Sequence, residues 1–297
     1  MAESIASIRE LRARLSPLRR QGKSIGFVPT MGALHAGHRR LLETARRETD
    51  VVVASIFVNP LQFDRKEDLD RYPRTLESDL AFCGAAGVDL VFAPPVSEMY
   101  PQEMLTSVEV HKLTETLCGP RRPGHFRGVA TVVLKLLEIV QPDRAYFGEK
   151  DAQQLAVIRR MLEDLSLPVA IVPVETVREP DGLAMSSRNL LLSPAQRRIA
   201  PMLYRALLLA RERVEGGERS AGKILAAIEP RFAENPEVRL EYFEIVDPRN
   251  LARVDVIESP VLIAGALWIG TIRLIDNLGA NPGARPGSLT EAKGLRL

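Results

Sequence analysis

Cysteine is almost missing from this sequence: its 297 residues contain two, Cys83 and Cys118. So far apart, they make no disulfide framework and read as small core or near-surface thiols. Histidine is scarce as well, with four residues, and no cysteine cluster stands beside them, so a zinc site lacks a ligand set. Neither sign of charge is in surplus. Lys and Arg number 40 against 38 Asp and Glu, a net charge of +2, which gives a nucleic-acid partner no compositional support. Long apolar runs are absent too: the longest, residues 261 to 269, is about half of what a membrane span needs. The amino-terminal MAESIASIRELRARL is charged and helical in pattern, without the apolar core of a signal peptide. Neither an internal repeat, a low-complexity block nor a GxGxxG fingerprint occurs, and the last absence argues against a dinucleotide oxidoreductase. With 45% hydrophobic residues, the expectation is a soluble cytoplasmic protein of one large domain or two smaller ones.

What is present is an alternation of short apolar runs with amphipathic stretches. Residues 3 to 20 place Ile5, Ile8, Leu11 and Leu15 at helical spacing. An apolar run from 25 to 28 predicts a buried strand, followed by a turn with Pro29, Gly32 and Gly37 and a helix from His38. VVVASIFVNP (51 to 60) predicts a fully buried strand, 75 to 87 a helix, 88 to 95 a strand and 128 to 140 a helix. Next come a strand before Gly148, a helix from Asp151 and a strand over 168 to 177. This pattern predicts an α/β fold, a Rossmann-like parallel sheet with helices on both faces. After residue 177 the texture changes to a polar loop, helices over 193 to 215 and 220 to 233, and a few strands, which predicts a smaller α+β C-terminal domain. The expected division is 1–176, 177–281 and a mobile tail over 282–297.

Ligands of such sheets lie beyond the carboxyl ends of the strands, and the polar loops at 29 to 38, 59 to 63 and 147 to 151 each follow a predicted strand. In the first, His35 and His38 flank Gly37 where a strand turns into a helix. Unpaired N–H groups and the helix dipole favour an anion there, and two imidazoles can donate to it. His38-Arg39 stand where a Walker A loop needs Lys-Ser or Lys-Thr, so that reading fails. Lys150, between strand and helix, can bring a point charge to polyphosphate, although a lysine on such a loop is more often simply solvated. Met185-Ser186-Ser187-Arg188 offers two hydroxyls and a guanidinium that can wrap a triphosphate, at a junction where a lid can close, although by itself Ser-Ser-Arg is a commonplace loop. Asn59, Gln62 and Gln154 carry amides that suit a small hydroxy acid, although Asn59 equally suits loop capping and Gln154 an exposed helix position. His111, His125 and the two cysteines read as structural.

The HxGH of the first turn resembles the hallmark of the nucleotidylyltransferase superfamily. The longer series PTMGALHAGH, VNPLQF, YPRT, RPGHFRGVATVV, FGEKDAQQL and MSSRN, in order from Ile25 to Asn277, is similar to the pantoate–β-alanine ligase family. That resemblance implies ATP contacts at Pro29, Met31, Gly32, Ala33, Leu34, His35, Ala36, Gly37 and His38. It extends them to Gly148, Glu149, Lys150, Asp151, Val177, Met185, Ser186, Ser187 and Arg188. It implies that Gln62 and Gln154, with Asn59, bind pantoate, that Met31 and Phe63 wall its gem-dimethyl group, and that Gln62 and Tyr72 lie near β-alanine. It places a magnesium contact at Asp79, a residue that equally suits an ordinary helix surface, and implies Mg2+ as the companion of ATP and a homodimer.

The implied reaction activates the pantoate carboxylate as an acyl adenylate, with release of pyrophosphate. The β-alanine amine then attacks the acyl carbon, giving pantothenate and AMP. No protein nucleophile is needed, only orientation and charge stabilisation by His35, His38, Lys150, Ser186, Ser187 and Arg188, with His38 as proton donor to the leaving pyrophosphate. The alternative within the superfamily is a nucleotidyltransferase that releases its adenylated product. A class I tRNA synthetase is disfavoured by size and charge, and a dead nucleotide-binding regulator by the presence of both His38 and Lys150.

Overall fold

The computed structural model describes residues 2–284; most of the expected 282–297 tail lies outside the described residues. Two compact units divide the chain. The first comprises Met1–His111, Arg122–Glu149 and Val157–Val174, and the second Lys112–Arg121, Lys150–Ala156 and Glu175–Leu297. A boundary at 177 lies beside the start of that last segment, whereas the segments at 112 and 150 associate through tertiary contacts.

In chain order the elements begin with β1 (Glu3–Ile5), α1 (Ile8–Arg20), β2 (Ile25–Thr30), α2 (Ala36–Glu48) and β3 (Val51–Ile56). They continue with α3 (Lys66–Arg71), α4 (Leu76–Ala85), β4 (Leu90–Phe92), α5 (Val96–Met99), α6 (His125–Val140) and β5 (Arg144–Gly148). Then follow α7 (Ala152–Asp164), β6 (Ala170–Val174), α8 (Pro194–Ile199), α9 (Met202–Glu215), α10 (Ala221–Ile228), β7 (Val238–Val246), β8 (Val261–Ile269) and β9 (Ile272–Ala280).

The first unit is built on a six-stranded parallel sheet ordered β1-β4-β3-β2-β5-β6. Its central strands are continuous apolar runs because both faces are covered. β2 and β3 pair in register from Ile25↔Val51 to Thr30↔Ile56. On one face α2 packs across β2, β3 and β5, with Leu41, Leu42 and Ala45 against Val28, Val52 and Ala54. α6 packs on β2 and on α1. The chain runs outward from β2 through β3 to β4, then returns to the other side of β2 with β5 and β6. The order of strands therefore reverses beside β2, which makes its carboxyl end the natural ligand crevice.

One element differs from expectation. Residues 3 to 5 form a short edge strand paired with Leu90–Phe92, not the first turn of a helix. Ser7 caps the helix instead, its hydroxyl accepting from Glu10 N at 3.1 Å. Ile5 suits the helical spacing and the strand equally, and only pairing with β4 decides it.

The second unit carries the antiparallel sheet β7-β8-β9, with α9 and α10 burying Leu203, Leu207, Ile224 and Ile228 with Phe243, Ile263 and Leu267. Each such side chain, fully withdrawn from water, contributes roughly 1.5–3 kcal/mol before chain entropy is deducted. The helix expected over 193 to 215 is broken at Pro201, which caps α9 and cannot continue α8 because it lacks an N–H. The one expected over 220 to 233 yields to 3-10 geometry at Glu229–Glu234, where Pro230 enters. Among the described residues, no helix is long and apolar enough to cross a membrane.

Candidate active site

In the first unit, the turn between β2 and α2 is held open by an unusual backbone. Gly32 (φ 83) and Ala33 (φ 51) are consecutive left-handed residues, a conformation that costs an alanine roughly 1–2 kcal/mol. The compensation comes from Asp79 on α4. Its Oδ2 accepts from Ala33 N at 3.0 Å and from the Thr75 hydroxyl at 3.1 Å, and its Oδ1 accepts from Leu34 N at 2.8 Å. Asp79 is 3% exposed and lies in the first turn of its helix, where the dipole favours a carboxylate. A Cβ on Gly32 would meet that carboxylate at 2.9 Å, so the turn needs glycine here for both conformation and space.

The histidines themselves close the helix. His35 is the N-cap of α2: its Nδ1 accepts from Gly37 N at 3.1 Å, while His38 Nδ1 accepts from His35 N at 3.2 Å. This is a capping box written in imidazole. It fixes the tautomers, because an Nδ1 that accepts a backbone N–H carries no proton. Each ring is therefore neutral with its hydrogen on Nε2, and Nε2–H is the donor it can offer a ligand. The ring centroids lie 4.1 Å apart, and both stand at the carboxyl end of β2.

A second buried network surrounds Gln62. Asn59 Nδ2 donates to Gln62 Oε1 and to Gly128 O, both at 3.1 Å, and Asn59 Oδ1 accepts from Tyr100 OH at 2.7 Å and from Leu61 N at 3.3 Å. Gly128 O can only accept and Leu61 N–H can only donate, so the Asn59 amide has one satisfactory orientation. That in turn sets Gln62, whose Nε2–H2 faces Met31 Sδ at 3.1 Å. Burial pushes the Tyr100 phenol well above its ordinary range, which keeps it a donor. Behind Gln62, Arg122 Nη1 donates to His125 Nε2 at 3.1 Å, so His125 Nδ1–H donates to Gln62 O at 2.8 Å. Arg122 also pairs with Asp64 at 3.3 Å. A Cβ on Gly128 would fall 2.2 Å from Leu61 O; only glycine lets α6 approach this loop. Phe63 and Tyr72 stack edge-on, centroids 5.7 Å apart.

Thus Met31, Asn59 and Gln62 converge in the first unit, whereas Tyr100, Arg122 and His125 were not expected there. Read singly, each has an ordinary structural meaning, although His125 lies within the RPGHFRGVATVV string. His111 is exposed. Cys83 and Cys118 are buried free thiols, and burial pushes the Cys83 thiol up to about 12, which leaves it inert.

The second unit presents the other expected residues. Lys150 is half-buried in a 3-10 turn, Glu149–Asp151, and its carbonyl accepts from Asn277 Nδ2 at 2.9 Å. Gln154 is half-buried in the first turn of α7. Its neighbour Gln153 is buried, joining Leu113 O and Thr116 O, both at 2.9 Å, and Cys118 N at 3.0 Å. That staple draws residues 112–121 into this unit. Val177 O accepts from Met185 N at 2.9 Å, and Ser186 Oγ accepts from Arg188 N at 3.3 Å, so the Met185–Arg188 loop starts from a short ladder. Arg188 is exposed. Arg197 grips Glu179 and Asp181 at 2.5 and 2.6 Å, and the Asp181 carboxyl is held below its usual range chiefly by that hydrogen bond.

Residues 3–279 match the family model described as pantoate-beta-alanine ligase. The chain belongs to the pantoate–β-alanine ligase family. The pantothenate synthetase of Heliobacterium modesticaldum is 55% identical over 274 residues, covering 92% of this chain and 98% of that one. The crystal structure of the Thermus thermophilus enzyme superposes with a TM-score of 0.88 at 52% identity, covering 93% of this chain and 98% of that one. The ligase of Francisella tularensis, solved with beta-gamma ATP and beta-alanine, gives a TM-score of 0.78 at 33% identity, covering 96% of this chain and all 100% of that one. Membership explains why the MSSRN and GEKD motifs accompany HxGH in one chain.

A resident metal does not fit the described residues. Among them no group of three or more His, Cys, Asp or Glu side chains can hold an ion, and the Asp79 oxygens are engaged by three protein donors.

Proposed function

We propose that this chain condenses pantoate with β-alanine at the cost of ATP, through pantoyl adenylate, and we infer the roles of its residues as follows. A pantoate carboxylate oxygen attacks the α-phosphorus; a P–O bond forms, the bond to the β-phosphate oxygen breaks, and pyrophosphate leaves. The free amine of β-alanine then attacks the acyl carbon, the acyl–oxygen bond breaks, and AMP departs with loss of one proton. His35 and His38 donate hydrogen bonds from Nε2–H to the phosphates, His38 toward the departing pyrophosphate, and stabilise its developing charge while keeping their protons. Lys150, Ser186, Ser187 and Arg188 bind the same polyphosphate. The Gln62 amide, held with its donor end presented, takes pantoate together with Gln154, and Met31 and Phe63 cover its methyl groups. Tyr72 sits near β-alanine. Magnesium is counted with the substrate as MgATP, and Asp79, its oxygens engaged by Ala33 N, Leu34 N and the Thr75 hydroxyl, holds the turn and is not assigned to the ion. The unpaired cysteines support a cytoplasmic setting, and a homodimer rests on the family alone.

The observation that carries this reading is the imidazole capping box, which leaves two neutral histidines with Nε2–H donors at a helix N-terminus. The test is exchange of labelled pyrophosphate into ATP. Exchange that requires pantoate but not β-alanine, with net AMP formed only when β-alanine is added, is the expected pattern. Absence of pantoate-dependent exchange excludes the ligase, and release of an adenylated product without AMP supports the nucleotidyltransferase alternative.

The buried amide network yields a second expectation. Tyr100→Phe removes the shortest hydrogen bond to Asn59 and loosens the orientation of Gln62. The KM for pantoate is expected to rise about fivefold, about 1 kcal/mol, while that for ATP stays unchanged. Initial-rate kinetics with each substrate varied separately make the comparison.

A further inference from the structure

Among the described residues of the second unit, Asp276 on β9 is one of few buried carboxylates, 5% exposed. Arg178 holds it with both guanidinium arms, Nη1 to Oδ2 at 2.5 Å and Nη2 to Oδ1 at 2.9 Å, and Asn277 N donates to Oδ1 at 2.8 Å. Burial raises its carboxyl above the usual range, against the pull of Arg178 and, more weakly, of the Asn277 N–H and the Lys150 charge. Such a group is costly to bury unless every partner stays in place. Arg178 in turn donates to Gly182 O at 3.1 Å, lies 4.1 Å from the Tyr204 ring centroid, and forms a bridge with Ala184 just before Met185. At the other end, the Asn277 amide reaches a chain segment remote in sequence and donates to Lys150 O at 2.9 Å. The path Lys150–Asn277–Asp276–Arg178–Ala184 is thus continuous and lies within the second unit.

We propose that Asn277 and Asp276 are positioning residues, through which one strand sets the place of Lys150 and of the Met185–Arg188 loop together. This rests on the reading of Lys150 as a phosphate ligand. Neither residue touches the reacting atoms. Asn277 fixes the backbone from which the Lys150 ammonium extends, and Asp276 ties that backbone to the segment that launches the loop. A side chain that only filled space would lose stability when shortened, without affecting one substrate more than another.

Pantoate-dependent pyrophosphate exchange in the full chain tests the proposal. Asn277→Ala is expected to lower the exchange rate about tenfold, the loss of one well-made hydrogen bond, and to raise KM for ATP while leaving KM for pantoate unchanged. Asn277→Asp, which keeps the shape and loses the donor, is expected to behave alike. On a Lys150→Ala background, Asn277→Ala is expected to change the rate less than about twofold, since the group it places is gone. Equal factors in both backgrounds, or wild-type behaviour of Asn277→Asp, overturn the proposal. If Lys150→Ala by itself leaves exchange intact, the reading of Lys150 fails and the proposal with it, a result distinct from an inert Asn277.

Discussion

Replacing His38 by alanine is expected to lower pantoate-dependent pyrophosphate exchange by about 10²–10³, the effect of removing one preorganised donor to a developing anion. The fold is expected to persist, because only one end of the capping box is lost: His35 Nδ1 still accepts from Gly37 N. The cost of that lost acceptor is about 1 kcal/mol. His38→Gln separates the two roles. A glutamine at this helix position can accept from the N-cap N–H as His38 does, so stability should return while exchange stays low. Circular dichroism melting beside the exchange assay reads both, and near-normal turnover in either variant removes His38 from the mechanism.

Asp79→Ala is the second large effect, and it falls on stability. The substitution strips acceptors from Ala33 N, Leu34 N and the Thr75 hydroxyl in a site 3% exposed. Each buried donor left unpaired costs about 1–3 kcal/mol; with partial relaxation the expected loss is about 2–4 kcal/mol in urea unfolding, with the midpoint moved and the slope retained. Exchange should fall as well, since the left-handed pair Gly32–Ala33 leads directly to His35. The Mg2+ concentration for half-maximal exchange should not move. The opposite outcome, unchanged unfolding with a raised magnesium requirement, assigns Asp79 to the metal instead.

How much was legible beforehand depends on the range of the forces involved. The central strands, α2 and α6 are set by apolar periodicity within a dozen residues, and they stand where periodicity puts them. The strand at Glu3–Ile5 was not legible, because three residues carry no period and only pairing with β4 distinguishes them from a helix start. The breaks near Pro201 and Pro230 mark points where a local rule about proline overrides an apolar pattern that continues through it. Among the candidate residues, the HxGH turn of the first unit stands out as a motif, as do Lys150 and MSSR in the second. Tyr100, Arg122, His125 and Asn277 do not, since a tyrosine after a short helix or an asparagine near a strand end has no meaning until its partner is known.

The α/β class, the strand-to-helix turn with its two histidines and, through the series of motifs, the family are all legible in the order of residues. Those properties rest on neighbours along the chain. Tertiary structure alone decided the tautomers, the amide orientations and the neighbours of Lys150. A neutral imidazole or a carboxamide can present a donor or an acceptor in the same place. Which one the side chain presents away from the backbone is set by fixed-polarity partners, the N–H of His35 and Gly37 for the histidines and Gly128 O for Asn59 and hence Gln62. Lys150 is likewise held through the amide of Asn277, a partner that folding, not sequence proximity, supplies.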